Sequence, residues 1–183
     1  FAFEYAGIIP DVILASKAIG GTQPMSVVIY NKKLDTWGPG AHAGTFRGNQ
    51  LAMVAGTVVM ERLKSPGFLE AVIRKGDKFR SRMEALKAEC PIIGDVRGKG
   101  LMLGIEFVDP NGPVDIMGHP MESGTICARV QKECFENHLV MEKGGRNGST
   151  MRCLTALNIS DEDLETGIRI LEKVVRNINK EYV

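Results

Sequence analysis

Apolar residues along this chain of 183 residues follow two periods, one of strands and one of helices. The runs at 8–15 and at Ser26-Val27-Val28-Ile29-Tyr30 predict two buried strands around a turn marked by Gly20-Gly21. Leu51, Val54, Ala55, Val58, Val59 and Leu63 recur at helical spacing and predict a helix from about Gly48 to Lys64. Ser65-Pro66 offers an N-cap and a first-turn proline for a second helix. Its apolar face is Leu69, Val72, Ile73, Phe79, Met83 and Leu86, and it ends near Cys90-Pro91. Residues 100–107 alternate as a strand, and Asp109 to Gly124 is a turn-rich loop. A helix is expected over 125–137, with short strands at Leu139-Val140-Met141 and from Met151 to Leu157. Ser160-Asp161-Glu162-Asp163 opens a last helix, its first-turn acids suited to the helix dipole, with Leu164, Ile168, Leu171, Val175 and Ile178 along one face. The pattern reads as the end of an α/β layer over residues 1–65 and a separate α+β unit over 66–183, with no internal repeat.

Composition narrows the class of protein. Hydrophobic content of 44% with 25% charged residues is that of an ordinary soluble globular chain. With 23 basic and 22 acidic residues and no basic stripe, a nucleic-acid partner is not expected. No apolar run approaches the roughly 18 residues of a membrane-spanning helix, so no membrane partner is expected. Cys90, Cys127, Cys134 and Cys153 show no C-x-x-C pairing, and His42, His119 and His138 are scattered. Reduced, mostly buried thiols in a cytoplasmic protein are therefore expected, with no metal site. The opening Phe1-Ala2-Phe3-Glu4-Tyr5 carries no initiator Met and reads like the middle of a folded protein, which predicts a fragment.

Three places carry candidate chemistry. Lys17 stands where the first apolar run gives way to Ser16-Lys17-Ala18-Ile19-Gly20-Gly21. A lysine at a strand end beside small residues is poorly hydrated, which lowers its ammonium pKa and yields an amine able to form a Schiff base. The plainer reading is a lysine that snorkels out of the strand end. Gly44-Thr45-Phe46-Arg47-Gly48-Asn49 lies at the mouth of the first long helix, where N–H groups and a hydroxyl can hold a phosphate. Alternatively, Thr45 and Asn49 only cap that helix. Arg152 sits inside an apolar strand, Met151-Arg152-Cys153-Leu154. Its planar fork suits a carboxylate, and the alternative is a structural ion pair. An amine, a phosphate cradle and a carboxylate clamp together describe pyridoxal 5'-phosphate acting on an amino acid.

The segment Gly7-Ile8-Ile9-Pro10-Asp11-Val12-Ile13-Leu14-Ala15-Ser16-Lys17-Ala18-Ile19-Gly20-Gly21 resembles the cofactor-lysine segment of class III, or omega, aminotransferases. Gly44-Thr45-Phe46-Arg47-Gly48-Asn49-Gln50-Leu51-Ala52 resembles their phosphate-contacting segment, and Arg97-Gly98-Lys99-Gly100-Leu101-Met102-Leu103-Gly104-Ile105-Glu106 their small-domain strand. The stretch from Leu34 to Gln50 is most similar to the branch that uses 2,4-diaminobutyrate and 2-oxoglutarate.

The resemblance implies an α/β fold, that of the type I pyridoxal-phosphate-dependent transferases, with 1–65 ending the large cofactor domain and 66–183 forming the small one. It implies a homodimer in which Lys17 forms the Schiff base and Thr45 holds the phosphate of the neighbouring subunit's cofactor. Arg152 would hold a substrate carboxylate. The implied reaction moves a terminal amino group between 2,4-diaminobutyrate plus 2-oxoglutarate and aspartate 4-semialdehyde plus glutamate. The same chemistry on 4-aminobutyrate, ornithine or acetylornithine is the alternative, and a non-catalytic interaction unit is another. Two departures stand out. The family pattern Arg-x-x-Pro-Pro-Leu reads Arg152-Cys153-Leu154-Thr155-Ala156-Leu157 here, and Thr22 replaces a common glycine. The family's Asp-Glu-x-Gln segment, whose aspartate pairs with the cofactor's pyridine nitrogen, does not occur in the chain, which on its own is expected to be a poor catalyst.

Overall fold

The computed structural model describes residues 1–183. The chain divides into two compact units, Phe1–Phe68 and Leu69–Val183.

In the first unit, β1 (Val12–Ser16) and β2 (Ser26–Tyr30) form an antiparallel ribbon in the register Val12↔Tyr30 to Ser16↔Ser26. Their β-branched residues favour the extended backbone. A 3₁₀ turn, Lys17–Gly20, leaves β1, and α1 (Gln50–Lys64) packs on that turn. The strands are not the buried pair expected from their apolar runs. The first begins only at Val12, and Ile9 and Leu14 are 95% and 76% exposed. A two-stranded ribbon has no further layer to cover both faces, and apolar composition alone does not bury a strand. Ser65 also behaves differently from expectation. Its Oγ donates to Arg62 O at 2.6 Å, so it closes the end of α1 instead of opening the next helix.

The next helix, α2 (Phe68–Glu89), starts beyond Pro66 and leads into β3 (Ile93–Lys99) and β4 (Met102–Phe107). Then come α3 (Gly124–Glu136), β5 (Glu142–Gly144), β6 (Thr150–Leu154) and α4 (Asp161–Asn179). The strands make one antiparallel sheet in the order β3-β4-β6-β5. Val96, Ile105 and Met151 are register partners on one face, and they join a single core with Met83 of α2, Val130 of α3 and Ile168 of α4. The opposite face carries the row Arg97–Gly104–Arg152–Glu142 across all the strands, with Met102 and Leu154 exposed beside it. The expected apolar stripe of α4 is buried throughout, and Ser160 caps it by accepting from Asp163 N at 2.9 Å.

Two expectations in this unit are corrected. The strand expected over 100–107 is the second arm of a hairpin whose first arm is β3. Gly98 at φ 141° and Gly100 at φ 53° make the tight connection, a backbone region open to glycine. Residues 139–141 are not a strand. Their backbone instead supplies Met141 O, which accepts from Gln131 Nε2 at 2.9 Å, and pairing starts only at Glu142.

Candidate active site

Lys17 follows β1 directly and begins the 3₁₀ turn. Its φ of 57° is left-handed, a conformation that non-glycine residues adopt only where the surroundings hold them. The turn is held from below by α1. A Cβ added at Gly56 would lie 2.8 Å from Ile19 O and 2.7 Å from Met25 Cε, so the missing side chain is what lets the turn seat on the helix. Gly56 carries no local signal beyond the cost of about 1 kcal/mol that a helix-interior glycine bears against alanine. Lys17 itself is exposed, which differs from the poorly hydrated strand end expected of it, because the ribbon has no covering layer on that side.

Thr45 lies in the turn that precedes α1 and is exposed. The cap of α1 is Asn49, whose Oδ1 accepts from Leu51 N at 3.1 Å and Ala52 N at 3.3 Å. Of the two readings at this loop, capping therefore belongs to Asn49 and not to Thr45. Those two N–H groups are spoken for, and the Thr45 hydroxyl is not used to close the helix.

Arg152 occupies an inner strand of the second unit, between Gly104 of β4 and Glu142 of β5. Its Nη1 lies 3.2 Å from Glu142 Oε1, with the two side chains 41% and 63% exposed. An ion pair this open to water is worth about 0–1 kcal/mol, so it orients Arg152 without committing it. Strand register, which no local pattern discloses, is what brings Glu142 to Arg152. The arginine also lines a cavity of about 540 Å³, together with Val140, Leu154 and Thr155. The adjacent Cys153 plays no chemical part, since burial pushes its thiol up to about 12 and keeps it protonated. Lys17 and Thr45 belong to the first unit and Arg152 to the second.

Residues 1–175 match the family described as aminotransferase class III, and the chain belongs to that family. Its members are pyridoxal-phosphate-dependent enzymes, and the fold is that of the type I transferases. The chain is 50% identical over 165 residues to a diaminobutyrate–2-oxoglutarate aminotransferase of Rhizobium meliloti (strain 1021), covering 90% of this chain and 35% of that protein. It is 41% identical over 175 residues to the enzyme of the same name from Haemophilus influenzae, covering 96% and 38%. Among solved structures, an acetylornithine aminotransferase from Elizabethkingia anophelis superposes with a TM-score of 0.79 at 28% identity, over 97% of this chain and 43% of that one. Plasmodium falciparum ornithine δ-aminotransferase gives 0.81 at 24% identity, over 99% and 44%, a likeness of fold. The chain thus spans 35% to 38% of the length of these two curated relatives.

Proposed function

We propose that the chain is part of an enzyme that moves a terminal amino group between 2,4-diaminobutyrate plus 2-oxoglutarate and aspartate 4-semialdehyde plus glutamate. The observation that carries this reading is the 50% identity, over 165 residues, to a protein named for that pair of substrates. The residues present fit the family's cofactor. Lys17 offers an exposed primary amine on a constrained turn, and Thr45 offers a hydroxyl that caps nothing. When bound, pyridoxal phosphate supplies an aldehyde for amines and an electron sink for the charge left on the carbon that loses its proton. Lys17 is the attachment point, and its amine takes and returns the proton at the substrate carbon that bears the nitrogen. Thr45 donates to a phosphate oxygen of the neighbouring subunit's cofactor, which makes a homodimer the working unit. Arg152 orients the substrate through its carboxylate, with the N–H groups that Glu142 does not engage. The free cysteines, Cys90, Cys127, Cys134 and Cys153, suit a reducing, cytoplasmic setting.

Borohydride reduction of the full-length protein loaded with pyridoxal phosphate should fix a pyridoxyl group on Lys17, read by peptide mass spectrometry. Lys17→Ala should abolish both the label and transamination, and a label on another lysine would refute the assignment. Substrate choice is read by presenting 2,4-diaminobutyrate, ornithine, acetylornithine and 4-aminobutyrate in turn and following the cofactor's absorbance. The ornithine and acetylornithine enzymes among the structural neighbours, at 24% and 28% identity, keep those amines as the second reading. Preference for either over 2,4-diaminobutyrate would replace the first.

A further inference from the structure

We propose that Thr155 is a second carboxylate-binding residue, so that the acid end of the substrate is held by a hydroxyl as well as by the Arg152 guanidinium. This rests on the reading of Arg152 as the carboxylate anchor. Both residues line the same cavity of about 540 Å³, whose other walls are apolar at Leu139, Val140, Leu154 and Ile159 and polar at Gln131, Glu142 and Asp163. Thr155 Oγ1 is buried and has no hydrogen-bond partner. Native proteins rarely keep a buried hydroxyl unpaired, because its lost hydration is not replaced. Turning χ1 by one staggered step moves the O–H to another position about Cβ, from which it can face the cavity.

The placement of Thr155 follows from the end of β6. Pairing stops at Leu154, and the chain then turns so that Ile159 N donates to Ala156 O at 3.0 Å. Thr155 is thereby placed on the cavity wall immediately past the strand that carries Arg152. Arg152 brings the charge, and its contact with Glu142 engages Nη1 at 3.2 Å in an open pair, which leaves N–H groups for a ligand. A carboxylate satisfies both donors at once, since its oxygens accept from the guanidinium fork and from a hydroxyl together. The apolar walls take the methylene groups of a short aliphatic amino or 2-oxo acid. Where the family pattern has proline, this chain has a hydroxyl at Thr155.

The test uses the full-length holoenzyme and the variants Thr155→Val, Thr155→Ser and Arg152→Lys. Thr155→Val keeps the shape and removes the O–H. It should raise KM for glutamate and 2-oxoglutarate about tenfold, a shift of ~1.4 kcal/mol, with kcat held within about twofold. Thr155→Ser should stay near wild type. In the first half-reaction with n-propylamine, an amine donor that has no carboxylate, followed by the cofactor's absorbance with no oxo acid present, Thr155→Val should behave as wild type. Its melting temperature should hold or rise, because an unpaired buried hydroxyl has been removed. Unchanged KM for both acids in Thr155→Val, while Arg152→Lys weakens both, overturns the role of Thr155 and leaves the anchor standing. No effect from either variant overturns the anchor and this inference with it. An equal loss with n-propylamine and with the acids makes Thr155 structural and also overturns the proposal.

Discussion

Two helix-interior glycines of the second unit should respond with opposite signs to the same substitution. Gly→Ala in a helix interior ordinarily stabilises by about 1 kcal/mol, because alanine leaves less backbone freedom to lose. At Gly167 in α4, an added Cβ would meet Leu139 Cδ1 at 3.6 Å, ordinary van der Waals contact, so Gly167→Ala should gain that ~1 kcal/mol. At Gly76 in α2, the Cβ would lie 2.2 Å from Gly100 O, 2.3 Å from Gly100 C and 2.6 Å from Gly100 Cα. All of these are backbone atoms of the β3–β4 turn, with no flexible side chain to yield. Overpacking costs about 1–3 kcal/mol, and a backbone collision this deep belongs at the upper end. Subtracting the propensity gain of about 1 leaves a net loss of roughly 2 kcal/mol for Gly76→Ala. Urea unfolding followed by circular dichroism reads both variants as shifts of the midpoint at constant slope. A Gly76→Ala protein as stable as wild type would show that the helix and the turn are not in backbone contact, and the packing described for this unit would be wrong.

Gly56→Val should displace the turn that begins at Lys17, since even a Cβ meets Ile19 O at 2.8 Å; steady-state assay of the full-length enzyme should show kcat down by about 10²-fold with the cofactor still bound, and wild-type turnover would refute the seating. Glu165 is held down to about 2 by Lys78 first, then by Arg82 and Arg169, so its stabilising charge is complete above about 4.5 and is lost as pH falls from there toward 2. Glu165→Gln should flatten the acid limb of a stability–pH curve over that window, and an unchanged limb would assign acid unfolding to other carboxylates. Burial pushes the Cys127 thiol up to about 11 and those of Cys134 and Cys153 up to about 12, so a thiol-directed disulfide reagent at pH 8 should label none of them before unfolding. Rapid labelling of the native chain, mapped by mass spectrometry, would contradict their burial.

What the sequence disclosed and what it hid divide along the range of the interactions involved. The last helix was legible because its cap, its acidic first turn and its apolar stripe are all local, and Ser160, Asp163 and Leu164 to Ile178 behave as those patterns require. Strand β3 was not, because Gly94, Asp95, Arg97, Gly98 and Lys99 break its apolar pattern, and its stability comes from pairing with β4. Ser65 shows that one residue type serves either helix end. Its hydroxyl can accept at a beginning or donate at a finish, and only the structure shows that Arg62 O receives it. The candidate site divides in the same way. Lys17, Thr45 and Arg152 were picked out by motif and by residue chemistry, whereas two partners that define their settings were not. Asn49 was legible as a cap because its contacts are local, whereas Gly56 under the turn and Glu142 across the strand each depend on which segments meet.

The environment of Lys17 separates what this chain supplies from what the proposed assembly must supply. A lysine that attaches a cofactor and carries protons needs a fixed direction and a poorly hydrated amine. Direction is provided locally, by the left-handed backbone at Lys17 and by the turn seated on Gly56. Low hydration is not, since Lys17 is exposed and Leu14, three residues before it, is 76% exposed. By contrast, the second unit closes its own core, with Ile105, Met151 and Ile168 at 0–1% exposure. Under the proposed function, Lys17 is dried only in the assembled enzyme, in which Thr45 also reaches a neighbouring subunit's cofactor. On that logic, catalytic competence and dimer formation should be lost together on dilution, while the sheet and helices of the second unit keep their fold.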